Sequence, residues 1–440
     1  MENDPHTYLG TTNRHREFWL LPEGGKDAEE LWLTREQRLS HTAVFGATGV
    51  GKSTFLLNLI EQDMARGDGL LLLDPHGQLA EAALSLVPRS RTNEVCYLDA
   101  GDLEHAVGLN ILEDRHLDER AVIVDAVVSA MRSIWHESWG PRMEQILRHA
   151  CTALVEIPNA SLVLLPRLLT DDKYRTSIIG RISSPQTRAF FGDRFDEWRD
   201  EFRETAIDPV LNKVEAFFAF PHIQNILGQG SSTLHFEQAM ERGRIVIANL
   251  AKGKIGESAS RLLGALLIAR VQTAAMSRRW RDGEELKPFH LLVDEAHSFN
   301  TQALALLLSE SRKFGVSIVV VSQYLASLSD TMRAALLGNA STTVAFRVGA
   351  EDASILAPAF NEMIDNRSEQ KKLNPAALLE LRRGEALVRI AGDGARVVDL
   401  PPPPLGTGNA EAVKKQSIRH YTRPREVVER NINKARGYQQ

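Results

Sequence analysis

The run Gly46-Ala47-Thr48-Gly49-Val50-Gly51-Lys52-Ser53 restricts this chain more than any other feature. A short apolar stretch, Ala43–Phe45, comes before it. After it, Phe55, Leu56, Leu59, Ile60 and Met64 share one helical side. A GxxxxGK[ST] pattern arises by chance in only about one of several tens of chains this long. Here it also has the context it needs, a strand before and a helix after. The glycines let backbone N–H groups turn inward around a β-phosphate, beside the positive end of the next helix. In such a loop Lys52 reaches the β- and γ-phosphates and the Ser53 hydroxyl ligates Mg²⁺. Residues Gly46, Ala47, Thr48, Gly49, Val50, Gly51, Lys52, Ser53 and Thr54 are therefore the expected nucleotide cradle, with ATP and Mg²⁺ as the expected cofactors.

Gly67 and Gly69 end the helix, and Leu70–Leu73 reads as a buried strand ending at Asp74. Strand, helix and strand at this spacing form a βαβ unit and imply a parallel sheet. The rhythm then stops. Ala121–Trp135 and Met143–Ile157 have helical periodicity, and strand signals are sparse through residues 113–228. It resumes with strands at Ile245–Leu250, His290–Asp294, Ser317–Ser322 and Thr342–Arg347, and with helices at Glu257–Ser277 and Thr301–Phe314. The expected fold class is α/β, a mostly parallel sheet flanked by helices with an all-α insertion. The expected division is an N-terminal extension (1–40), a first core segment (41–112), a helical insertion (113–228), a second core segment (229–400), and a proline linker with a basic tail (401–440). The extension is polar with scattered aromatics, Tyr8, Phe18, Trp19 and Trp32, and reads as short strands or loops leaning on the core.

Composition excludes several classes. With 440 residues, 43% of them hydrophobic, the chain can build a sizeable core without disulfide or metal staples. Cys96 and Cys151 have neither zinc-site nor disulfide-framework spacing, which fits a reducing cytoplasm. No apolar run approaches the roughly 20 residues of a membrane helix, so no intrinsic membrane segment is expected. Docking at the periphery of a membrane assembly remains open. A net charge of −5 argues against a uniformly basic nucleic-acid binder. The tail from Val413 to Arg436 is locally basic, which reads either as a pointer to a polyanion or as a solvated helix.

Leu291-Leu292-Val293-Asp294-Glu295 is an apolar strand ending in two carboxylates. A nucleotide-hydrolysing site needs one acid for hydrated Mg²⁺, here Asp294, and one to deprotonate the attacking water, here Glu295. Val319-Val320-Val321-Ser322-Gln323 ends in an amide, and the carboxyl ends of parallel strands face the ligand crevice. Gln323 can there hydrogen-bond the γ-phosphate or the water. Arg312 precedes that strand, at the opposite end of the sheet. It is expected to act on a neighbouring subunit's nucleotide, as an arginine finger in trans, with Arg347 as its rival. Asp74-Pro75-His76-Gly77 reads as a turn capping a strand rather than a metal site, and His297 invites no firmer reading.

His41–Gly49 before Gly51-Lys52-Ser53, Leu73–Gly77, Asp294-Glu295-Ala296-His297 and Arg312–Val316 through Ser322-Gln323 together resemble the HerA–FtsK superfamily of DNA-pumping ATPases. Ile207–Lys213 and Asn225–Gln229 look most like the coupling-protein ATPases of conjugation and type IV secretion. The resemblance covers about residues 40–400. It implies a RecA-like P-loop core and a homo-oligomeric ring, a hexamer, with nucleotide between subunits and DNA in the channel. It also implies that Lys52, Asp294, Glu295, Gln323 and an arginine finger act together. Coupling proteins carry N-terminal membrane helices and HerA proteins an N-terminal β-barrel; residues 1–40 match neither. The leading expectation is an ATP-hydrolysing DNA translocase, binding DNA without sequence preference alongside secretion or DNA-processing proteins. The alternatives are an ATPase energising protein traffic and a nucleotide-dependent scaffold in a defence complex.

Overall fold

A computed structural model describes residues 6–12, 29–114, 117–280, 285–299, 301–361 and 373–437; Phe18 and Trp19 lie outside them. The strands are β1 (Thr7–Thr12), β2 (Glu30–Leu33), β3 (His41–Phe45), β4 (Gly69–Asp74), β5 (Val95–Asp99), β6 (His105–Val107), β7 (Ile245–Asn249), β8 (Phe289–Val293), β9 (Val316–Ser322), β10 (Ala340–Ala345), β11 (Glu385–Ile390), β12 (Gly394–Asp399) and β13 (Thr422–Pro424). Eleven of them make one sheet, ordered β2-β1-β12-β11-β10-β3-β9-β8-β4-β7-β5. From β10 to β5 every neighbouring pair is parallel. From β10 to β2 every pair is antiparallel.

The parallel half is buried on both faces, which is why β4 reads as an unbroken leucine run. Side chains still alternate between faces. Leu70 and Leu72 join the layer under the helix Lys52–Ala65, through Phe55, Leu56, Leu59, Ile60 and Met64. Leu71 and Leu73 join the opposite layer, which is continuous with the core of the helical segment. The helix Glu257–Ser277 lies in that second layer, packed against the helices Arg120–Ile134 and Gln302–Glu310. Being buried nearly all round, it is apolar nearly all round.

Among the described residues, 113–228 contain no strand; the segment is built largely on the helices Arg120–Ile134, Pro141–Val155 and Asp200–Phe218. The extension supplies β1 and β2, so it lengthens the sheet rather than leaning on it.

The tail is helical, and it is also packed against the rest of the chain. The helix Ala410–Tyr421 packs along the edge strand β5, where Tyr97 N donates to Ser417 Oγ at 2.7 Å. β13 pairs with β6, and the helix Arg425–Arg436 buries Val428 and Ile432 against the helical segment. Several of its cations are engaged within the chain. Lys414 meets Glu81 at 2.9 Å and Arg425 meets Glu429 at 2.7 Å. Arg423 donates to Gln229 Oε1, Ser231 O and Ser231 Oγ. The tail is a helical strap, on which Lys415, Arg419 and Arg430 remain exposed.

Candidate nucleotide site

β3 delivers the glycine loop to the carboxyl end of the sheet, and its backbone leaves no alternative to glycine at key places. Gly51 has φ +128°, where a side chain is strained, and a Cβ there would sit 3.1 Å from the Phe346 ring. A Cβ on Gly46 would lie 2.6 Å from Phe346 Cβ. Phe346, just past β10 and buried, is thus the floor of the loop. Neighbouring strands hold the loop by backbone hydrogen bonds: Gly46 N to Ser322 O at 3.3 Å, Ala47 N to Arg347 O at 2.9 Å, and Gly384 N to Val50 O at 2.9 Å. Thr48 and Gly49 are exposed at the tip, while Val50 is buried. Ser53 is exposed and Thr54 half-buried, both in the first turn of the helix Lys52–Ala65.

Lys52 is buried, and its ammonium donates to Gly46 O at 2.7 Å and Ala47 O at 2.9 Å. It closes the loop around the space a phosphate would fill. Burial pulls its pKa down, against the opposing pull of Glu295 and Asp294.

The strand order sets the acids opposite. β9 lies between β3 and β8, so Gln323, just past β9, falls between Lys52 and the acid pair just past β8. Gln323 Nε2 donates to Glu295 Oε1 at 2.8 Å, and His297 Nδ1 lies 3.3 Å from Glu295 Oε2. Glu295 is held at φ +49°, a conformation that costs a non-glycine residue on the order of 1–3 kcal/mol and tends to cluster at functional sites. Burial pushes its carboxyl pKa up, but His297, Gln323 and Lys52 outweigh that and hold it below the ordinary range. Buried Glu295 Oε2 accepts no hydrogen bond among the described residues.

Asp294 behaves oppositely. Burial, then the charges of Glu295 and Asp74, push its pKa up to about 7. Asp74 is the third carboxylate here, and sequence reading placed it only as a cap. It is one: its carboxylate accepts from His76 N and Ala80 N, both at 2.8 Å. Glu295 and Asp294 facing Lys52, with Asp74 beside Asp294, leave an excess of negative charge, and the donor set is all oxygen. Asp294, the exposed Ser53 hydroxyl and that charge excess suit a hydrated Mg²⁺.

Arg312 stands apart, in the turn before β9 at the sheet's amino end, where its Nη2 meets Glu36 Oε1 at 2.8 Å on the surface. It does not join Lys52, Glu295 and Gln323 within one chain. Arg347, at the carboxyl end of β10, is exposed. Sequence reading missed Phe346 and the Arg382–Gly384 turn, whose only signal is a glycine before a strand. Another group of possible ligands, Asp63, Asp68 and His290, lies near the amino ends of β4 and β8. Asp63 is already paired there with Arg38 and Arg66, and Asp68 with Arg66, which makes an ion cluster.

A family model described as the central domain of helicase HerA matches residues 37–271, more than half of the chain. The chain belongs to the HerA family. It is 25% identical over 302 residues to the DNA double-strand break repair helicase HerA of Sulfolobus acidocaldarius, a match covering 64% of this chain. The chain spans about half the length of that curated relative (50%). A shorter likeness, 29% over 75 residues, is to the type 4 coupling protein DotL of Legionella pneumophila. Among solved structures, the bacterial conjugative coupling protein TrwB superposes with a TM-score of 0.63 at 17% identity, over 86% of this chain and 88% of that one. VirB4 of Thermoanaerobacter pseudethanolicus gives 0.55 at 14% identity, over 92% and 98%. These structural likenesses are of fold, and the fold is that of a RecA-like P-loop NTPase. No helix among the described residues is long and apolar enough to cross a membrane.

Proposed function

We propose that this HerA-family chain is an ATP-hydrolysing motor that moves DNA, acting as a ring with nucleotide between subunits. The observation that carries the reading is the convergence of Lys52, Gln323, Glu295 and Asp294 at the carboxyl ends of three adjacent parallel strands. Ser53 and Asp294 would hold a Mg²⁺ ion, which would supply charge neutralisation for the phosphates. Lys52 leaves its two carbonyl partners for the phosphate oxygens. Glu295, kept ionised by its neighbours, takes a proton from the attacking water, and Gln323 fixes the carboxylate that does so. Arg312, at the opposite end of the sheet and held by a surface ion pair with Glu36, is offered to the adjoining subunit's nucleotide.

The DNA element of the proposal leans on kinship. The curated HerA relative is named as a double-strand break repair helicase and TrwB as a conjugative coupling protein. Solved TrwB complexes hold a GTP analogue and ADP with Mg²⁺, which supports ATP and Mg²⁺ here. A hexameric ring, placement in the cytoplasm beside a membrane assembly, and contact with secretion or DNA-processing proteins belong to the same proposal, as does the fivefold division of the chain. The alternative reading is an ATPase energising protein traffic, which stimulation by a protein partner in place of DNA would mark. The test is the ATPase rate with and without single- and double-stranded DNA, alongside mass in solution with ATP bound. Stimulation by DNA and a ring-sized mass are expected; hydrolysis indifferent to both DNAs counts against translocation.

A further inference from the structure

We propose that Arg383 binds the nucleotide at its α-phosphate end, an inference that rests on the ATPase reading above. Sheet order gives the nucleotide a polarity. Asp294, Glu295 and Gln323 lie on the β9–β8 side of β3, while β10 and β11 lie on the other. A γ-phosphate must face the acids and the water they activate. The α-phosphate and ribose therefore run from the glycine loop toward β10 and β11.

The turn Arg382–Gly384, which leads into β11, waits on that side. It is bonded to the phosphate loop itself, Gly384 N donating to Val50 O at 2.9 Å. A Cβ built on Gly51 would lie 3.7 Å from Gly384 Cα. Leu400 N donates to Gly384 O at 2.9 Å, so the turn is gripped from both sides. Its two arginines differ. Arg382 N donates to Oε2 of the buried Glu385 at 2.8 Å, and Arg382 Nε is 3.9 Å from Oε1. Arg383 is exposed, and no hydrogen bond or ion pair engages its guanidinium among the described residues. A rigid turn thus carries an uncommitted guanidinium, the group best shaped for phosphate oxygens, one residue from a backbone that touches the phosphate loop.

Titration of the full chain with fluorescent ADP and with a non-hydrolysable ATP analogue tests this. Arg383→Ala is expected to weaken both nucleotides about tenfold and equally, the size of a charge-assisted hydrogen bond, with Arg383→Lys recovering some of the loss. Both losses are expected to shrink as salt rises. Affinities within about twofold of the unaltered chain's, while Lys52→Ala loses binding, overturn the inference and leave the ATPase reading standing. Weakening of the ATP analogue alone also overturns it, since that places Arg383 at the γ-phosphate. Failure of the unaltered chain to bind either nucleotide sinks both readings.

Discussion

Gln323 donates its side-chain amide to Glu295 Oε1 at 2.8 Å, across the gap between the ends of two adjacent strands. That bond leaves the other carboxylate oxygen, Oε2, buried and without a hydrogen bond among the described residues, 3.3 Å from His297 Nδ1. One oxygen is anchored by the amide, and the other, facing His297, is the one that takes the proton in the proposed mechanism.

Replacing Glu295 with Gln keeps the shape and removes the base. Nucleotide affinity should stay within a fewfold, while turnover falls by about 10²–10⁴, the usual worth of a positioned base. Single-turnover hydrolysis separates the two. A variant retaining more than about a tenth of the rate argues that the base is elsewhere.

The raised pKa of Asp294, about 7, gives a pH signature. The folded chain holds a proton that the unfolded chain releases near 3.8, so metal-free stability should fall as pH rises from there to about 7, then level off. Asp294→Asn should flatten that slope. Because Mg²⁺ must displace the proton, its affinity should weaken as pH drops below about 7. Thermal melts in chelator and in Mg²⁺ at pH 6 and 8 check both, and equal Mg²⁺ affinities at the two values would count against the assignment.

Gly51→Ala puts a side chain at φ +128° and 3.1 Å from the Phe346 ring. A cost of about 1–3 kcal/mol is expected, together with loss of nucleotide binding as the loop is pushed out of shape. Urea unfolding reads the first and nucleotide titration the second. Wild-type values for both would mean the loop tolerates a different path.

Arg312→Ala should barely touch stability, since the exposed pair with Glu36 is worth at most about 1 kcal/mol. If Arg312 serves the neighbouring subunit, turnover of the assembled oligomer should fall about 10³-fold. Mixing this variant with Lys52→Ala subunits should restore some activity, because each then supplies what the other lacks. No recovery in the mixture, with Arg347→Ala inactive, moves the finger to Arg347.

Much of the sheet was readable because buried parallel strands announce themselves as apolar runs; the strands expected at 245–250, 290–294 and 317–322 agree with β7, β8 and β9 to within a residue or two. The long helix Glu257–Ser277 was readable for a similar reason, its length and apolarity. The antiparallel half was not. β11 and β12 carry arginines among their valines, and nothing local says that β12 must accept β1 from the far end of the chain. At the site, residue types and strand ends pointed to Lys52, Asp294, Glu295 and Gln323. Phe346 under the glycines, and the excess charge that Asp74 adds beside Asp294, depend on which strands are neighbours, and that is a non-local fact. Where the tail packs was not legible because its cations dominate its composition, whereas Ser417, Val428 and Ile432 decide where it goes.

The strap that Arg423 ties to Gln229 and Ser231 crosses the place where the polypeptide comes back from the helical segment into the sheet. A hinge there would have to break that knot and unzip β13 from β6. In the proposed ring, each protomer is thus expected to ride through a working cycle as one stiff lever, with the compliance such a motor needs concentrated at the seams between protomers.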